Sequence, residues 1–339
     1  MKPVKEMEKM NSTILEADQA KPKPIRTLKY ENKVDIIVYI SIILFFILAI
    51  TVFSPFYQRF VIEMMIFAIL ALSMDFLLGY GGLLNLAHTL FFGLNIYLTT
   101  ILFLDFQVPF FLALLIGIIV TMLIAFVIGY FSCRLSGIQF AMVTLAFAEL
   151  FFIVITKSRD FTGGYDGRRV NQPIEISFGS EVIKLTDTIP LLTIVVVMLI
   201  GTYYIIRKIV KSPFGNALNA VHENEERAKF LGFNVFRIKL QSFLISAFFS
   251  TIAGFGYLLL KMYVAPNYVS WSFSGEVLLM TLIGGFGTLF GPLFGAIGFV
   301  WFKDWLSSYT EHWMLVVGLL FMLVVLFLPK GLFGWLQRK

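Results

Sequence analysis

Residues 109–131, PFFLALLIGIIVTMLIAFVIGYF, form an unbroken apolar run with no charged side chain. Because about 20 apolar residues of helix cross a bilayer core, this run predicts a transmembrane helix. Residues 35–53, DIIVYISIILFFILAITVF, have the same character after their first residue. A transmembrane barrel would instead be built from ~10-residue alternating segments, which neither run resembles. The sequence therefore predicts an all-α, polytopic membrane protein.

The composition agrees with a membrane protein and argues against several other classes. Hydrophobic residues make up 58% of the chain and charged residues 14%, whereas soluble domains carry roughly a quarter charged residues. The net charge of +6 comes from tails and loops, so we expect no nucleic-acid partner. The single cysteine, Cys133, and three dispersed histidines lack the spacing of metal ligands. We therefore expect neither a metal nor a cofactor.

The sequence also carries no pattern of an enzyme. It has no Ser/His/Asp, Cys/His or paired-carboxylate arrangement that indicates catalysis. It has no GxxxxGK[ST] phosphate loop either, so we expect no ATP binding by this chain. Any ATP-derived energy would have to come from a partner subunit.

Hydropathy predicts about 8–10 membrane segments. The apolar runs lie at 35–53, 60–79, 83–104, 109–131, 138–156, 189–206, 240–264 and 312–329, with a broken segment at 275–303. Residues 1–34 are rich in Lys and Arg and predict a cytoplasmic tail, followed by a transmembrane domain over 35–336. The positive-inside rule also places the C-terminus in the cytoplasm. The segment 275–303 must then return to the same side or make two short crossings.

Glycines interrupt two of the apolar segments in a similar way. GYGGLLNLAHTLFFG (79–93) and LIGGFGTLFGPLFG (282–295) each contain a Gly-Gly pair, a small polar residue and an aromatic-Gly ending. Paired broken segments indicate a transporter binding region, but glycines also allow close helix packing, and both interpretations stay open. The candidate residues of the translocation pathway are Gly81, Gly82, Asn85, His88, Glu149, Gly284, Gly285 and Thr288.

Ionisable residues within the apolar runs are costly and are therefore functional candidates. Glu149 either faces a subunit interface or serves the structure, while Asp75 is expected to be structural. We expect His88 mainly to bond a carbonyl of the broken helix and to hold the Gly-Gly turn. Lys261 is expected to extend its amine toward the membrane surface.

Residues 211–239, KSPFGNALNAVHENEERAKFLGFNVFRIK, form a charged segment between two apolar runs. Ser212 followed by Pro213 predicts the start of one helix. Asn224 predicts the start of a second helix, which Gly232 would end in a left-handed conformation. Five apolar side chains, at positions 218, 221, 230, 231 and 233, must pack on the membrane domain or in a partner's groove. A helix lying on the bilayer surface is the alternative.

Part of this segment, SPFGNALNAVHENEERAKFLGFNVFRIKLQSFLISA, resembles the cytoplasmic coupling loop of branched-chain amino-acid ABC transporter permeases. Further stretches similar to this family follow one order along the chain. They are GYGGLLNLAHTLFFG, RLSGIQFAMVTLAFAEL, TGGYDG, LLMTLIGGFGTLFGPLFGA and LFLPKGLFG. The resemblance runs from about Ile62 to Leu336 and implies the transmembrane domain of an ABC importer, including broken helices.

The resemblance implies a multi-pass subunit of the cytoplasmic membrane that works with several partners. These are two cytoplasmic ABC ATPase subunits, a second related permease and an extracytoplasmic substrate-binding protein. The ATPase contacts that it implies are Asn219, His222, Glu223, Asn224, Glu225, Arg227, Ala228, Leu231 and Gly232.

The implied function is the import of leucine, isoleucine and valine. Permeases for urea or short amides share the fold and are the nearest alternative. An ion-coupled secondary transporter is an alternative of another class. Because a binding protein would select the ligand, the sequence by itself leaves the substrate open.

Overall fold

The computed structural model describes residues 32–178, 181–327 and 331–332. Most of the predicted tail, 1–34, therefore lies outside the described residues, as do residues 333–339 at the C-terminus. Contacts divide the chain into residues 1–36 and residues 37–339. All candidate functional residues belong to the second unit.

Helices make up most of the described part of the chain. In chain order they are α1 (Asn32–Val52), α2 (Pro55–Asp75), α3 (His88–Leu104), α4 (Phe110–Ser132), α5 (Gly137–Lys157), α6 (Arg159–Thr162), α7 (Thr188–Val210), α8 (Pro213–Glu223), α9 (Glu225–Phe230), α10 (Val235–Lys261), α11 (Trp271–Gly284), α12 (Phe290–Ser307) and α13 (Trp313–Phe327). A π-helical turn, Phe76–Tyr80, continues α2.

Short strands and turns occupy two of the connections. The strand β1 (Arg168–Arg169) pairs antiparallel with β4 (Tyr263–Val264), with Arg168 opposite Val264. The hairpin strands are β2 (Glu175–Phe178) and β3 (Glu181–Lys184). Single 3-10 turns lie at Gly164–Asp166 and Pro266–Val269. The sequence did not predict these strands, because two to four residues give too short a pattern of alternation.

The helices confirm the predicted all-α, polytopic membrane fold. Six in the described residues are long and apolar enough to cross a membrane: α1 from Asp35, α2 with its π turn, α4, α5, α7 and α10. Shorter apolar helices are α3, α11 and the part of α13 from Leu315 to Val324. The broken segment predicted at 275–303 corresponds to α11 and α12, which are separated at residues 285–289.

The helix α2 lies in the centre of the bundle. In the most apolar stretch of α2, 89% of the residues are buried inside the protein. The corresponding stretches of α4 and α5 are each 28% buried. The helix α2 packs against α7, α10, α11 and α12. A helix that is apolar on all sides is expected in such an interior position. The helices α4 and α5 leave most of their surface available to lipid or to another subunit.

Contacts between the connections sort them into two ends of the bundle. At the first, which we name the loop end, His222 of α8 contacts the residues that follow the π turn. There Lys239 Nζ, in α10, also donates to the carbonyl oxygen of Leu135 at 3.2 Å. At the opposite end, Arg168 pairs with Asp105, the residue after α3. Successive long helices therefore run in alternating directions between the loop end and the opposite end.

The helices α11 and α12 form an antiparallel pair, in which α11 runs to the loop end and α12 runs back. At 1.5 Å per residue, the 14 residues of α11 span about 21 Å, less than the ~30 Å of a bilayer core. The helix α12 returns beside α11, and Lys303 Nζ lies 2.5 Å from Glu276 Oε2. After α13 the chain is back at the loop end, where Leu332 N donates to Ile283 O at 2.9 Å. The pair α11 and α12 returns the chain to the opposite end, and neither helix is among the six that are long and apolar enough to cross a membrane.

Candidate functional site

The polar segment 211–239 folds at the loop end as α8, α9 and the start of α10. Ser212 Oγ accepts a hydrogen bond from Gly215 N at 3.4 Å, and Pro213 opens α8. Asn224 Oδ1 accepts from Arg227 N at 2.9 Å at the start of α9. Gly232 follows with a φ of 87°. The predicted starts of both helices and the left-handed Gly232 after the second are confirmed, because each depends on near neighbours in sequence.

The apolar side chains of this segment divide into two groups. Leu218 and Val221 on α8 are buried against the membrane domain. Phe230, Leu231 and Phe233, at the end of α9 and just beyond it, are 90%, 69% and 40% exposed. We name this second group the exposed apolar tip. The sequence left two alternatives open, packing on the membrane domain or packing on a partner. The first group packs on the membrane domain, whereas the exposed apolar tip does not.

Lys239 ties the segment to the membrane domain. Its side chain is 3% exposed, forms an ion pair with Glu225 and donates to Leu135 O. A buried amine is tolerated where it is paired and hydrogen-bonded in this way. Glu225, an expected ATPase contact, is thus engaged inside the chain, and Ala228 is buried. The other expected contacts are exposed or half-buried: Asn219, His222, Glu223, Asn224, Arg227, Leu231 and Gly232.

The helix α8 contacts the first glycine-interrupted segment directly. A methyl group on Gly82 would collide with the imidazole of His222, and one on Gly81 would lie 3.4 Å from Leu218 Cδ1. Gly82 also has a φ of 66°, a conformation that glycine adopts without a steric penalty. The expected ATPase contacts and the expected pathway residues are therefore neighbours at this point.

The chain is not helical between Gly82 and His88, where α3 begins. The prediction of a continuous span from residue 83 is wrong over its first residues. The apolar run Leu83–Leu84 resembles a helix in composition, but the turn at Gly82 and the polar Asn85 interrupt it. Asn85 Oδ1 accepts from Ala87 N at 2.9 Å and stabilises the non-helical turn.

The two glycine-interrupted segments meet at Asp75. Its carboxylate accepts hydrogen bonds from Gly287 N at 2.6 Å and from Leu289 N at 3.2 Å, and the residue is fully buried. A methyl group on Gly79 would collide with the backbone of Gly287 and with this carboxylate. The break after α11 therefore packs directly on the π turn that ends α2. We name this contact the break junction.

The backbone of Leu289, at the break junction, is strained. Leu289 is a non-glycine residue with φ 60° and ψ −52°, which costs conformational energy. Its N–H is one of the two donors to Asp75. Thr288 Oγ1 donates to Gly285 O at 2.7 Å and accepts from Gly291 N at 3.0 Å, so it stabilises the turn into α12.

Four expected pathway residues remain, and they are His88, Glu149, Gly284 and Gly285. His88 is fully buried, and its Nε2 lies 2.8 Å from Ser73 Oγ and 3.3 Å from Leu70 O in α2. It thus bonds a carbonyl of the broken helix as expected, but these bonds run to α2 and not to the Gly-Gly turn. Glu149 is half-buried on α5. Gly284 and Gly285 are buried at the end of α11.

Sequence reasoning missed the partners of two charged residues, Lys261 and Asp75. Lys261 Nζ donates to Glu63 Oε2 at 2.8 Å and does not simply extend toward the surface. Asp75 was expected to be structural, but its role in joining the two breaks was not foreseen. In the described part of the chain, no group of three His, Cys, Asp or Glu side chains could hold a metal ion.

Sequence comparison relates this chain to a group of transport proteins. The model of a family described as the branched-chain amino acid transport system permease component matches residues 56–326. The high-affinity branched-chain amino acid transport system permease protein LivM of Salmonella typhimurium is 28% identical over 289 residues, 79% of this chain and 68% of the relative. The LivM protein of Escherichia coli is 28% identical over 287 residues, with the same coverage of both chains.

A more distant relative comes from an archaeon. The probable branched-chain amino acid transport permease protein LivM of Methanocaldococcus jannaschii is 25% identical over 240 residues, 65% of this chain and 68% of the relative. No solved structure gives a significant match.

Proposed function

This chain belongs to the family of branched-chain amino acid transport permeases, and we propose that an ATPase drives it through the segment 211–239. As a permease of an ATP-driven importer, it moves branched-chain amino acids across the membrane and is not itself the hydrolase. The family works with ATPase and substrate-binding partners. Its relatives do not favour the urea permease or the ion-coupled transporter.

The observation that carries the proposal is the contact between α8 and the break junction. His222 and Leu218 rest on Gly82 and Gly81, which follow the π turn. The π turn contacts Gly287 through Gly79, and Asp75 binds the same break. A displacement of α8 would therefore reach the ends of both α2 and α11 through atoms in contact. Two packed arrangements of such a junction would give an importer its two states.

The exposed apolar tip is the surface that we assign to the ATPase. Phe230 and Leu231 are too apolar to remain in water without a partner, and charged residues such as Glu226 and Arg227 adjoin them. An apolar anchor with a polar rim is the usual anatomy of a protein interface. The ion pair of Lys239 with Glu225 connects α9 to the membrane domain, so that a movement of the exposed apolar tip is transmitted to that domain.

We further propose the complete assembly and its orientation. Two ATPase subunits, a second related permease and an extracytoplasmic binding protein would join this chain in the cytoplasmic membrane. The loop end carries Arg207, Lys208 and Lys211, so the positive-inside rule supports placing it in the cytoplasm. The N- and C-termini would lie on the same side.

Reconstitution with one component omitted at a time tests this function. Vesicles would contain this chain, the second permease and the ATPase, with the binding protein added outside. We expect uptake of radioactive leucine when ATP is present inside the vesicles, on the side of the membrane where the ATPase binds. Uptake should stop when either the ATPase or the binding protein is left out. Uptake of urea in place of leucine, or leucine uptake on an ion gradient without the ATPase, would refute the proposal.

A further inference from the structure

A cavity of about 610 Å³ opens at the opposite end, between α2, α10, α11 and α12. This size lies in the ~300–1,000 Å³ range of small-molecule sites. The residues expected from sequence to form the pathway do not line it. Its position is the one that a ligand arriving from outside the cell would meet first, if the loop end faces the ATPase.

The walls of the cavity carry charges of both signs. Lys303 on α12 faces Glu276 on α11, with Nζ and Oε2 2.5 Å apart, and the side chains are 32% and 20% exposed. Glu63 on α2 also lines the cavity and pairs with Lys261 at 2.8 Å. Both kinds of charge are therefore within reach of one bound molecule. The ammonium and carboxylate of a zwitterion could each find a partner of opposite sign here.

Another part of the cavity wall is aromatic. The rings of Tyr257 and Tyr268 pack edge to face with centroids 5.0 Å apart. Phe67 and Phe273 adjoin them, with centroids 5.8 Å apart. These rings offer apolar surface to a ligand's side chain, whereas neither a small polar amide nor an inorganic cation would use it.

Contacts between α11 and α12 close the cavity on the side that faces the loop end. Met280 lines the cavity, and its carbonyl lies so close to Gly295 that a methyl group there would collide with it. One turn further along α11, Gly284 meets the backbone of Gly291 in the same manner. The α11–α12 contact thus separates the cavity from the break junction at the loop end. A ligand in the cavity would be held there until these two helices move apart.

We infer that this cavity is a binding site of the permease itself for a zwitterionic amino acid with an apolar side chain. The inference rests on the proposed import function and adds a site to it. Lys303 binds the ligand carboxylate, Glu276 and Glu63 attract its ammonium group, and the aromatic rings contact its side chain. The ligand then waits above the α11–α12 contact, and a movement of the break junction releases it toward the loop end.

Cysteine protection tests the site in the assembled transporter. The chain has one cysteine, Cys133, which is buried, and the exposed Ser307 lines the cavity. A Ser307→Cys variant would be labelled with a small neutral thiol reagent in nanodiscs, with and without millimolar L-leucine. We expect leucine to slow labelling at least fivefold. 4-Methylpentanoate, which is leucine without its ammonium group, and isoamylamine, which is leucine without its carboxylate, should protect far less.

Three matched variants make the result specific. Tyr309→Cys, at an exposed position outside the cavity lining, should label at the same rate with and without leucine. Adding Lys303→Gln to Ser307→Cys should abolish protection, while an unchanged labelling rate without ligand shows that the cavity is intact. Adding Lys184→Gln, which removes the pair with Glu175 outside the cavity, should leave protection unchanged.

Leucine uptake in the same preparation separates the two proposals. ATP-dependent uptake without protection of Ser307→Cys would overturn the cavity site and leave the import function standing. Equal protection by 4-methylpentanoate or isoamylamine would overturn the zwitterionic ligand class. Absence of ATP-dependent leucine uptake by the complete assembly would overturn the import function, and the cavity site with it.

Discussion

The carboxylate of Asp75 accepts a hydrogen bond from the backbone N–H of Gly287 at 2.6 Å, and the two residues are 212 positions apart in the chain. This bond joins the end of α2 to the break between α11 and α12. Since His222 of α8 contacts Gly82 a few residues after Asp75, the same region lies under the polar segment. The account of an externally driven permease depends on this connected set of contacts.

Replacing Asp75 with Asn should loosen the break junction. An amide keeps the shape of the carboxyl group but presents an N–H₂ group to one of two backbone donors. Because a buried donor left without an acceptor costs about 1–3 kcal/mol, we expect the variant to lose about that much stability. Thermal unfolding in detergent measures the loss, and ATP-driven leucine uptake should fall as well.

Asp105→Asn is the matched control for Asp75→Asn. Its carboxylate also accepts two hydrogen bonds, both from Arg168 at 2.6 Å, but the pair is partly exposed at the opposite end. An exposed pair contributes less than about 1 kcal/mol, so this variant should keep nearly all of its stability and its uptake. Equal effects of the two substitutions would contradict a special role for Asp75.

Gly82→Ala should impair coupling more than its backbone strain explains. The residue has φ 66°, and a methyl group would also displace His222. Gly137→Ala is the control, because Gly137 has φ 57° and open space around it. Both variants carry about 1–2 kcal/mol of strain. Only Gly82→Ala should reduce leucine uptake per ATP hydrolysed. Identical coupling in the two glycine variants would argue against transmission through His222.

Lys239→Met should detach the polar segment from the membrane domain. The substitution removes the ion pair with Glu225 and the bond to Leu135 O. Because Glu225 is partly exposed and can be rehydrated, we expect a loss of about 1–3 kcal/mol. Limited proteolysis would detect faster cleavage within residues 211–234. The exposed Lys229→Met is the control, and a cleavage rate equal to that of Lys239→Met would count against the anchoring role.

The Asp105–Arg168 pair should make the free energy of unfolding depend on pH in the acid range. The hydrogen bonds from Arg168 hold the pKa of Asp105 below its ordinary value of 3.8. A carboxyl with a lowered folded-state pKa stabilises the fold above its ordinary pKa, and this contribution is lost as the pH falls through the lowered value. The stability difference between wild type and Asp105→Asn should therefore be constant near neutral pH and vanish in strong acid. A difference that grows on acidification would contradict this assignment.

Local features were predictable from the sequence, and distant contacts were not. The caps at Ser212 and Asn224 and the left-handed Gly232 were predicted because each is determined by adjacent residues. The bond from Asp75 to Gly287 and the pair of Lys261 with Glu63 join residues about two hundred positions apart. No periodicity or spacing in one sequence specifies such contacts.

The interrupted segments illustrate the same limit. Their similar Gly-Gly pairs indicated two breaks, and both breaks are present. That they pack on each other through Gly79 and Gly287, with α8 alongside, required the fold. The start of α3 was misplaced because leucines at 83 and 84 are compatible with a helix, whereas the conformation of Gly82 is not visible in composition.

Photocrosslinking from position 230 tests the central claim most directly. Phe230 is 90% exposed at the loop end, and Tyr165, 76% exposed at the opposite end, is the control position. A photoreactive phenylalanine analogue would replace each residue in the assembled transporter in native membranes. We expect position 230 to crosslink to the ATPase subunit and position 165 not to do so. Crosslinks to the ATPase from position 165 but not from position 230 would contradict an ATPase acting through this segment.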